Sequence, residues 1–258
     1  MESEFAAYIE KSGLLSPKDQ ILVAVSGGVD SMVLATVLNS LGYHIALAHC
    51  NYQLRGEDSD VDEELVKNWA LEREIPFHSR RIDTKRLVQE STRSTQMVAR
   101  EERYRFFEEL MDEHGYVATA LAHHQDDRLE SLLMNVLRGT GIRGFVGMPV
   151  RRDRYIRPLL FASKKEIREY AVSNQIPFRD DISNQQVVYK RNWVRLRLLP
   201  MLRQVHPNID KDLLRFSKAV EKELPNYHNW KEKESQKLAT GNGQHHISVS
   251  RLKAHKYP

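Results

Sequence analysis

A short segment of glycines and hydroxyl residues directly behind an apolar run has the composition of a phosphate-binding loop. The glycines let successive backbone N–H groups turn toward an anion, the serine hydroxyls add donors, and a following helix presents its positive end. The Gly-Lys-Ser/Thr ending of a Walker loop is missing, so the segment predicts a pyrophosphate cradle of another kind. Its residues are Ser26, Gly27, Gly28, Val29, Asp30 and Ser31.

A carboxylate inside such a loop needs a cation, because Asp30 would otherwise repel the phosphates. We therefore expect a Mg²⁺ ion to bridge Asp30 to the bound anion. The alternative is a purely structural role, in which Gly27 and Gly28 only form a tight turn between a strand and a helix.

A second group of reactive side chains, His123, Asp127 and Glu130, follows another apolar run. If a helix begins near His124, these residues fall at i, i+4 and i+7 and lie along one face. Two carboxylates on one face attract a cation, whereas a solvated acidic helix start is the alternative interpretation. The group therefore predicts a cation-binding site.

Both groups need a scaffold that positions the ends of their strands. Ile21–Val25 is typical of a strand covered on both faces, and Met32–Leu41 has the apolar spacing of a helix that Gly42 ends. The apolar run His44–His49 follows, which completes a βαβ unit. In such sheets, ligands bind at the carboxyl ends of the strands.

The alternation continues and predicts a doubly wound, mostly parallel α/β sheet. The glycine-rich segment 138–144 is expected to be a loop, and the capping box at Ser163–Glu166 opens a helix to about Asn174. A charged helix is expected from about Asn208. The other expected elements are helices over 5–11, 58–74, 95–114 and 125–137 and strands over 77–82 and 116–121.

The composition is that of a globular protein, with 41% hydrophobic and 29% charged residues. No run approaches the roughly 18 apolar residues of a membrane span, and the acidic start lacks the features of a signal peptide, so the cytoplasm is the expected compartment. The net charge is only +4, but basic residues cluster along the chain and indicate a polyanionic partner. The clustered residues include Arg151, Arg152, Arg154, Arg157, Lys164, Lys165, Lys190, Arg191, Arg195, Arg197 and Arg203.

The loop resembles the SGGxDS motif of the PP-loop family of ATP pyrophosphatases. The resemblance implies the adenine nucleotide alpha hydrolase-like fold, ATP as cofactor, and cleavage between the α and β phosphates. The enzyme would then transfer AMP rather than a γ-phosphoryl group.

Further blocks in order resemble the tRNA(Ile)-lysidine synthetases of that family, from about residue 20 to 202. These enzymes join L-lysine to C2 of the wobble cytidine of tRNA(Ile) with a CAU anticodon, through an adenylated intermediate. Tyr52 and Ser131 depart from a frequent histidine and threonine of the family. The matching blocks are His49–Arg55, Ala99–Tyr104, His123–Glu130, Leu137–Gly141, Arg157–Leu159, Asp181–Asn184 and Arg191–Arg195.

The resemblance implies roles for individual residues. Asp127 and Glu130 correspond to the lysine-site acids, and one of them would accept the proton of the ε-amine, whose ordinary pKa is about 10.4. His123 and Arg103 would stabilise charge on the intermediate. His49 joins the loop in binding ATP, and the expected tRNA contacts are Arg138, Arg143, Arg151, Arg152, Arg154, Arg157, Arg191 and Arg195.

The resemblance also implies a division of the chain. Residues 1–205 are expected to form the catalytic domain, and 206–258 a helical linker or the start of a C-terminal tRNA-binding region. Since family members usually continue into further domains, we expect the chain to be a fragment or a shortened form. Whether it forms a homodimer stays open.

The nearest competing function is a PP-loop tRNA thiolase, which needs cysteines or a cluster to deliver sulfur. Cys50 is the only cysteine, so a disulfide or a cysteine-based metal site cannot be assembled from this chain alone. An amide- or ammonia-dependent synthetase is a second alternative, but it would not need the arginine clusters. A non-enzymatic RNA-binding module is a third, but it would not need the acidic pair Asp127 and Glu130.

Overall fold

The computed structural model describes residues 1–54, 56–180 and 190–238. Arg55 and the block Asp181–Asn184 lie outside the described residues, so their predicted correspondence stays a prediction. No helix in the described ranges is long and apolar enough to cross a membrane.

A six-stranded sheet forms the centre of the molecule, in the order β3-β2-β1-β4-β6-β5. All neighbouring strands are parallel except β5, which runs antiparallel to β6. Sequential strands move outward from β1 to β3, and the chain then returns to the other side of β1 to form β4. The strands are β1 (Gln20–Ala24), β2 (His44–Asn51), β3 (Phe77–Arg81), β4 (Ala118–Ala120), β5 (Arg151–Arg152) and β6 (Tyr155–Ile156).

Helices connect and cover the strands. Between β6 and the end of the described chain, three helices and one π-helical turn follow α7. The helices are α1 (Glu2–Ser12), α2 (Val29–Ser40), α3 (Glu57–Leu71), α4 (Thr84–Gln89), α5 (Thr95–His114), α6 (Gln125–Leu137), α7 (Lys164–Ser173), α8 (Lys190–Trp193), α9 (Leu199–Val205) and α10 (Ile209–Leu238), with a 3-10 helix at Ile142–Val146 and the π-helix at Val194–Leu198.

The sheet is covered on both faces, as the doubly wound prediction requires. On β1, Ile21 and Val23 pack into one buried cluster with α1, α2 and α7, whereas Leu22 packs into another with Phe107 and Met111 of α5. Alternate side chains of a strand point to opposite faces, so an apolar run without polar interruptions is needed to cover both. The predicted fold class is confirmed.

Several predicted elements are found with their expected bounds. Helices α5 and α6 begin and end where the sequence places them, and Gly115 ends α5 in the left-handed conformation. The Ser163 hydroxyl accepts from the backbone N–H of Glu166, as the capping box predicts. Helix α3 ends at Leu71, before the expected Glu74, because Glu74 takes a positive φ of 56°.

Other elements differ from the expectation or were not expected. The strand predicted over 116–121 is only three residues long, and all three pair with β1. The segment 138–144, expected to be a loop, runs into the 3-10 helix at Ile142–Val146. The β5–β6 hairpin and the helices of 190–205 are too short to show a period in the sequence.

Helix α10 packs against the rest of the chain through polar and aromatic contacts. Arg128 of α6 donates to Ser217 and Glu221 of α10, each at 3.1 Å. Phe145 of the 3-10 helix meets Phe216 edge-on at a centroid distance of 5.6 Å. The described part of α10 therefore adjoins α6, and the division of the chain at residue 205 stays a prediction.

The α5 face of the sheet gives a direct test of the packing. Phe107 is 1% exposed, and its replacement in Phe107→Ala should lower the free energy of unfolding by about 3–5 kcal/mol through lost burial and a residual cavity. Val172→Ala, at a position that is 64% exposed, should change it by less than about 0.5 kcal/mol. Urea unfolding measures both, and equal small losses would show that Phe107 is not packed as described.

Candidate functional site

The two predicted reactive segments meet at the carboxyl ends of β1 and β4. These strands are parallel neighbours, with Val23 paired to Ala120, so the chain leaves both strands at the same edge of the sheet. The loop Ser26–Ser31 follows β1, and His123 and His124 follow β4. This is the point where the strand order reverses, which is where doubly wound sheets bind ligands.

Hydrogen bonds inside the loop fix its conformation. The hydroxyl of Ser31 donates to the carbonyl of Gly28 at 2.9 Å and accepts from the backbone N–H of Ser26 at 3.1 Å. The Ser26 hydroxyl lies 3.2 Å from that of Ser31 and accepts from the N–H of Gly28 at 3.3 Å. The loop then passes into α2, whose N-cap is Gly28.

Gly27 carries the sharpest conformational requirement of the loop. Its φ is 86°, in the left-handed region, and an added Cβ would lie 3.4 Å from the Cβ of Asp62. The carbonyl of Gly27 accepts from the backbone N–H of Arg179, and the Arg179 side chain pairs with Asp62 at 3.2 Å. That distance is an ordinary van der Waals contact, so a glycine is favoured here because of its left-handed φ rather than for lack of space.

Asp30 lies on the first turn of α2 with its two oxygens in different surroundings. Oδ2 accepts from Nζ of Lys164 on α7, and Oδ1 is buried with no hydrogen-bond partner in the described part of the chain. In the described ranges, no three His, Cys, Asp or Glu side chains are grouped to hold a metal. A free carboxylate oxygen fits Mg²⁺, which binds through few protein ligands and the phosphates of its substrate.

His49, predicted to bind ATP, is a buried residue beneath the loop. It is 3% exposed, and its Nδ1 lies 2.9 Å from the carbonyl of Val25, the residue before the loop. Burial lowers the pKa of His49, so the ring is neutral near pH 7. The contact supports the loop from below, and the predicted ATP contact remains a prediction.

The first turn of α6 faces the loop. His124 is its N-cap, and its backbone N–H donates to Asp127 at 3.0 Å. Nε2 of His124 lies 3.9 Å from Oδ2 of Asp30 and 3.4 Å from Oδ2 of Asp127. The helix begins at Gln125, as expected, and its N-cap His124 lies between Asp30 and Asp127.

Asp127 and Glu130 are buried and already neutralised by two arginines. Glu130 is 0% exposed and accepts from Arg191 at 2.8 Å and from Arg195 at 2.5 Å. Asp127 accepts from the same two guanidinium groups at 2.7 and 3.3 Å. Burial alone would raise the pKa of Asp127, but His124 and Arg191 more than offset it, so the carboxyl stays ionised.

His123 and Arg103 each have a buried ring or guanidinium nitrogen without a partner in the described ranges. Nδ1 of His123 and Nε of Arg103 are buried without hydrogen-bond partners among the described residues. Burial lowers the pKa of His123 to about 4, against the attraction of Asp127 and with help from Arg157, Arg191 and Arg103. The ring is therefore neutral at pH 7.

The arginines predicted to contact RNA have diverse surroundings. Arg138 and Arg152 are exposed, and Arg143 donates to the ring of His228 at 3.0 Å. Arg151 donates to the carbonyl of Leu14, and Arg154 to Asp112 and to the carbonyl of Tyr116. Arg157 is buried, and Arg191 and Arg195 hold the acids described above. The structure does not bring the eight together as one basic strip.

Sequence reasoning missed two polar residues of the site. Lys164, singled out only as part of a basic cluster, pairs with Asp30, and its backbone N–H donates to Asp126 at 2.8 Å. Asp126 also accepts from Arg203 at 2.9 Å. The capping box at Ser163 predicted the start of α7, but nothing in the sequence indicated that this end of the helix faces the loop Ser26–Ser31.

The chain is similar in sequence to known proteins. A family model described as a PP-loop domain matches residues 1–202. A tRNA(Ile)-lysidine synthase of Porphyromonas gingivalis is 42% identical over 202 residues, which are 78% of this chain and 44% of the relative. One of Parabacteroides distasonis is 43% identical over 208 residues, 81% of this chain and 48% of the relative. The chain thus spans about half the length of these curated relatives.

Among solved structures, a U34-tRNA thiolase, NcsA, from Methanococcus maripaludis with its [4Fe-4S] cluster superimposes with a TM-score of 0.67 at 16% identity. The match covers 85% of this chain and 79% of that one. At this identity the likeness concerns the fold alone.

The strained glycine predicts how the loop binds anions. Gly27→Ala should weaken binding of pyrophosphate at least about fivefold, because the side chain forces the loop from its conformation. Gly13→Ala is a matched control, since Gly13 also has a positive φ, of 55°, but ends α1 with open space around it. Calorimetric titration with pyrophosphate measures both, and equal affinities would show that the loop does not hold the anion.

The neutral His123 predicts a pH dependence of stability. In the unfolded chain the ring takes up a proton near its ordinary pKa of about 6.5, whereas in the folded protein it does so only near 4. The free energy of unfolding should therefore fall as the pH drops from 6.5 toward 4. At pH 5 the wild type should have lost about 1–2 kcal/mol more, relative to pH 7.5, than His123→Gln.

Urea unfolding at the two pH values measures this difference. The control is His44→Gln, which changes an exposed histidine and should keep the wild-type dependence. If His123→Gln also keeps it, the ring is not held neutral by its surroundings.

Proposed function

Because the chain belongs to the PP-loop domain family, we propose that it uses ATP to adenylate the wobble cytidine of tRNA(Ile) with a CAU anticodon and then joins L-lysine to C2 of that base. The products are lysidine, AMP and pyrophosphate. The observation that carries the proposal is the pair of buried acids, Asp127 and Glu130, beside a pyrophosphate-binding loop. The lysidine synthases that match most of this chain support it.

The two steps of the reaction explain why one site needs both the loop and the acidic pair. The C2 carbonyl oxygen of cytidine is a poor leaving group, and transfer of AMP to it makes departure easy. The bond between the α phosphorus and the bridging oxygen breaks, and pyrophosphate leaves toward the backbone donors of Ser26–Ser31. The lysine ε-amine then attacks C2, and AMP carries the former carbonyl oxygen away.

Asp30 is the residue that would hold Mg²⁺, through its unpaired Oδ1 and together with phosphate oxygens. The ion would neutralise the phosphates and stabilise the charge of the departing pyrophosphate. Lys164 neutralises the other oxygen of Asp30 and lies close enough to contribute to the same task.

Lysine binding requires an exchange of partners at the acids. Asp127 and Glu130 carry two negative charges, and Arg191 and Arg195 balance them. A carboxylate held by two arginines is a weak proton acceptor, because these cations favour its ionised form. We propose that the lysine ammonium displaces a guanidinium, and that one acid accepts the ε-amine proton afterwards.

His123 and Arg103 are suited to the adenylated intermediate. A neutral imidazole donates one hydrogen bond without adding a charge, and a guanidinium remains cationic throughout. Both have buried nitrogen atoms without a partner in the described part of the chain. We propose that they stabilise the negative charge that develops at the phosphate and at the base.

A thiolase mechanism has little support from Cys50. Burial raises the pKa of this thiol to about 11, so it is almost fully protonated at pH 7. Sulfur transfer needs the thiolate as nucleophile. The proposed function therefore leaves Cys50 without a chemical role.

The remaining parts of the proposal concern RNA and the chain as a whole. Exposed Arg138 and Arg152 are best suited to contact tRNA phosphates, which gives affinity and salt dependence. We propose residues 1–205 as the catalytic unit and 206–258 as a linker to tRNA-binding parts. A tRNA-modifying enzyme of this kind would act in the cytoplasm.

The test separates the two steps of the reaction. With ATP and a tRNA(Ile) transcript carrying CAU, one equivalent of pyrophosphate should be released without lysine, and continuous release should require lysine. Glu130→Gln should keep the first turnover and lower the lysine-dependent rate at least about 100-fold, since a neutral amide cannot balance the ammonium. Labelled lysine should enter the RNA in the wild-type reaction.

Two controls accompany this measurement. Glu169→Gln makes the same change at a side chain that is 63% exposed, and it should leave both steps unchanged. A transcript with uridine in place of the wobble cytidine should give neither step. If continuous pyrophosphate release from the wild type is indifferent to lysine, the lysidine assignment is wrong.

A further inference from the structure

A cleft of about 430 Å³ lies between the first half of α5 and the β5–β6 hairpin, beyond the residues assigned to ATP and lysine. Its α5 wall is one helical face, because its members are spaced by three and four residues. That face contributes Met97, Arg100 and Tyr104, and the hairpin side contributes Arg152, Tyr155 and Arg157.

Arg157 forms a cationic wall of the cleft. It is 7% exposed, its Nη1 donates to the carbonyl of Pro149 at 2.9 Å, and its Nε has no hydrogen-bond partner among the described residues. It makes no ion pair with any residue in the described ranges. A buried guanidinium without a carboxylate is costly, so this position favours an anionic ligand.

Aromatic rings form a second wall. Tyr104 and Tyr155 meet edge-on with centroids 4.7 Å apart, and the guanidinium of Arg100 lies 4.6 Å from the centre of the Tyr104 ring. A tyrosine ring and a guanidinium plane are both surfaces on which unstacked bases pack in single-stranded RNA. The cleft thus joins a stacking surface to a phosphate-binding cation.

The position of the cleft links it to the reacting centre. Arg157 follows β6, whose parallel neighbour β4 ends just before His123. The Arg157 end of the cleft therefore lies at the same edge of the sheet as His123, which follows β4, and the loop Ser26–Ser31, which follows β1.

We infer that this cleft binds the nucleotide adjacent to the reacting cytidine, with its base against Tyr104 and its phosphate between Arg152 and Arg157. The inference rests on the proposed function, since it takes the bound chain to be RNA. Glu101 and Asp153 also line the cleft, and their carboxylates accept from the exocyclic amine of a base. In a CAU anticodon, the adenine after the wobble cytidine carries such an amine.

The test measures binding of a hairpin RNA with a CAU loop by fluorescence anisotropy. Tyr104→Leu should raise Kd about 5- to 100-fold, and Tyr104→Phe should restore it, because a phenyl ring keeps the stacking surface. Arg152→Gln should lower the slope of log Kd against log salt by about 0.7, the value for one phosphate contact in single-stranded RNA. This exposed arginine can be changed without disturbing the core.

The matched control for charge is Arg86→Gln, at a side chain that is 70% exposed on α4, and it should leave Kd and the salt slope near the wild-type values. In the RNA, replacing the adenine by purine, which lacks the amine, should weaken wild-type binding about 5- to 20-fold. If both Tyr104→Leu and Arg152→Gln keep the Kd and the salt slope of the wild type, the inference is wrong, even if lysine-dependent pyrophosphate release persists. If these variants lose RNA binding but the wild type shows no lysine-dependent pyrophosphate release, the RNA-binding role of the cleft stands and the proposed function is wrong.

Discussion

The parallel pairing of β1 with β4 is the constraint on which the candidate site depends. Because the two strands are neighbours that run in the same direction, the residues that follow them emerge side by side although almost a hundred residues separate them in the chain. The loop Ser26–Ser31 and the first turn of α6 are therefore held together by backbone hydrogen bonds of the sheet. Side-chain contacts such as His124 with Asp30 refine this placement, but they do not create it.

Charge balance is the second requirement, because the site gathers many carboxylates at one sheet edge. Asp30, Asp126, Asp127 and Glu130 would repel one another if left alone. Lys164, Arg203, Arg191 and Arg195 come from the chain after β6 and neutralise them in turn. The segments that carry these cations are thus part of the site, although the carboxyl ends of β1 and β4 define its position.

Much of the fold was predictable because its signals are local and periodic. The helices α5 and α6, the capping box at Ser163 and the apolar run of β1 depend on residues within a few turns of each other. The motif of the loop Ser26–Ser31 could also be recognised from the sequence, since its residues follow one another directly. Pairings over long separations were not predictable: Lys164 meets Asp30 across 134 positions and Arg195 meets Glu130 across 65. Arg195 was predicted to contact tRNA and Lys164 was noted only as part of a basic cluster, because the sequence reveals charge but not the partner in space.

Under the proposed function, the pairing of Arg191 and Arg195 with the acids has a consequence for how lysine would enter. A buried acid such as Glu130 cannot remain without a cation when the site is empty, so a protein that binds a cationic substrate there must supply a substitute. The two arginines fill that role, and they stand on α8 and a π-helical turn, a conformation that is less regular than an α-helix and common at functional sites. Under the proposed function, lysine binding and RNA contact would depend on the same two side chains, because Arg191 and Arg195 hold the acids and are also two of the predicted tRNA contacts.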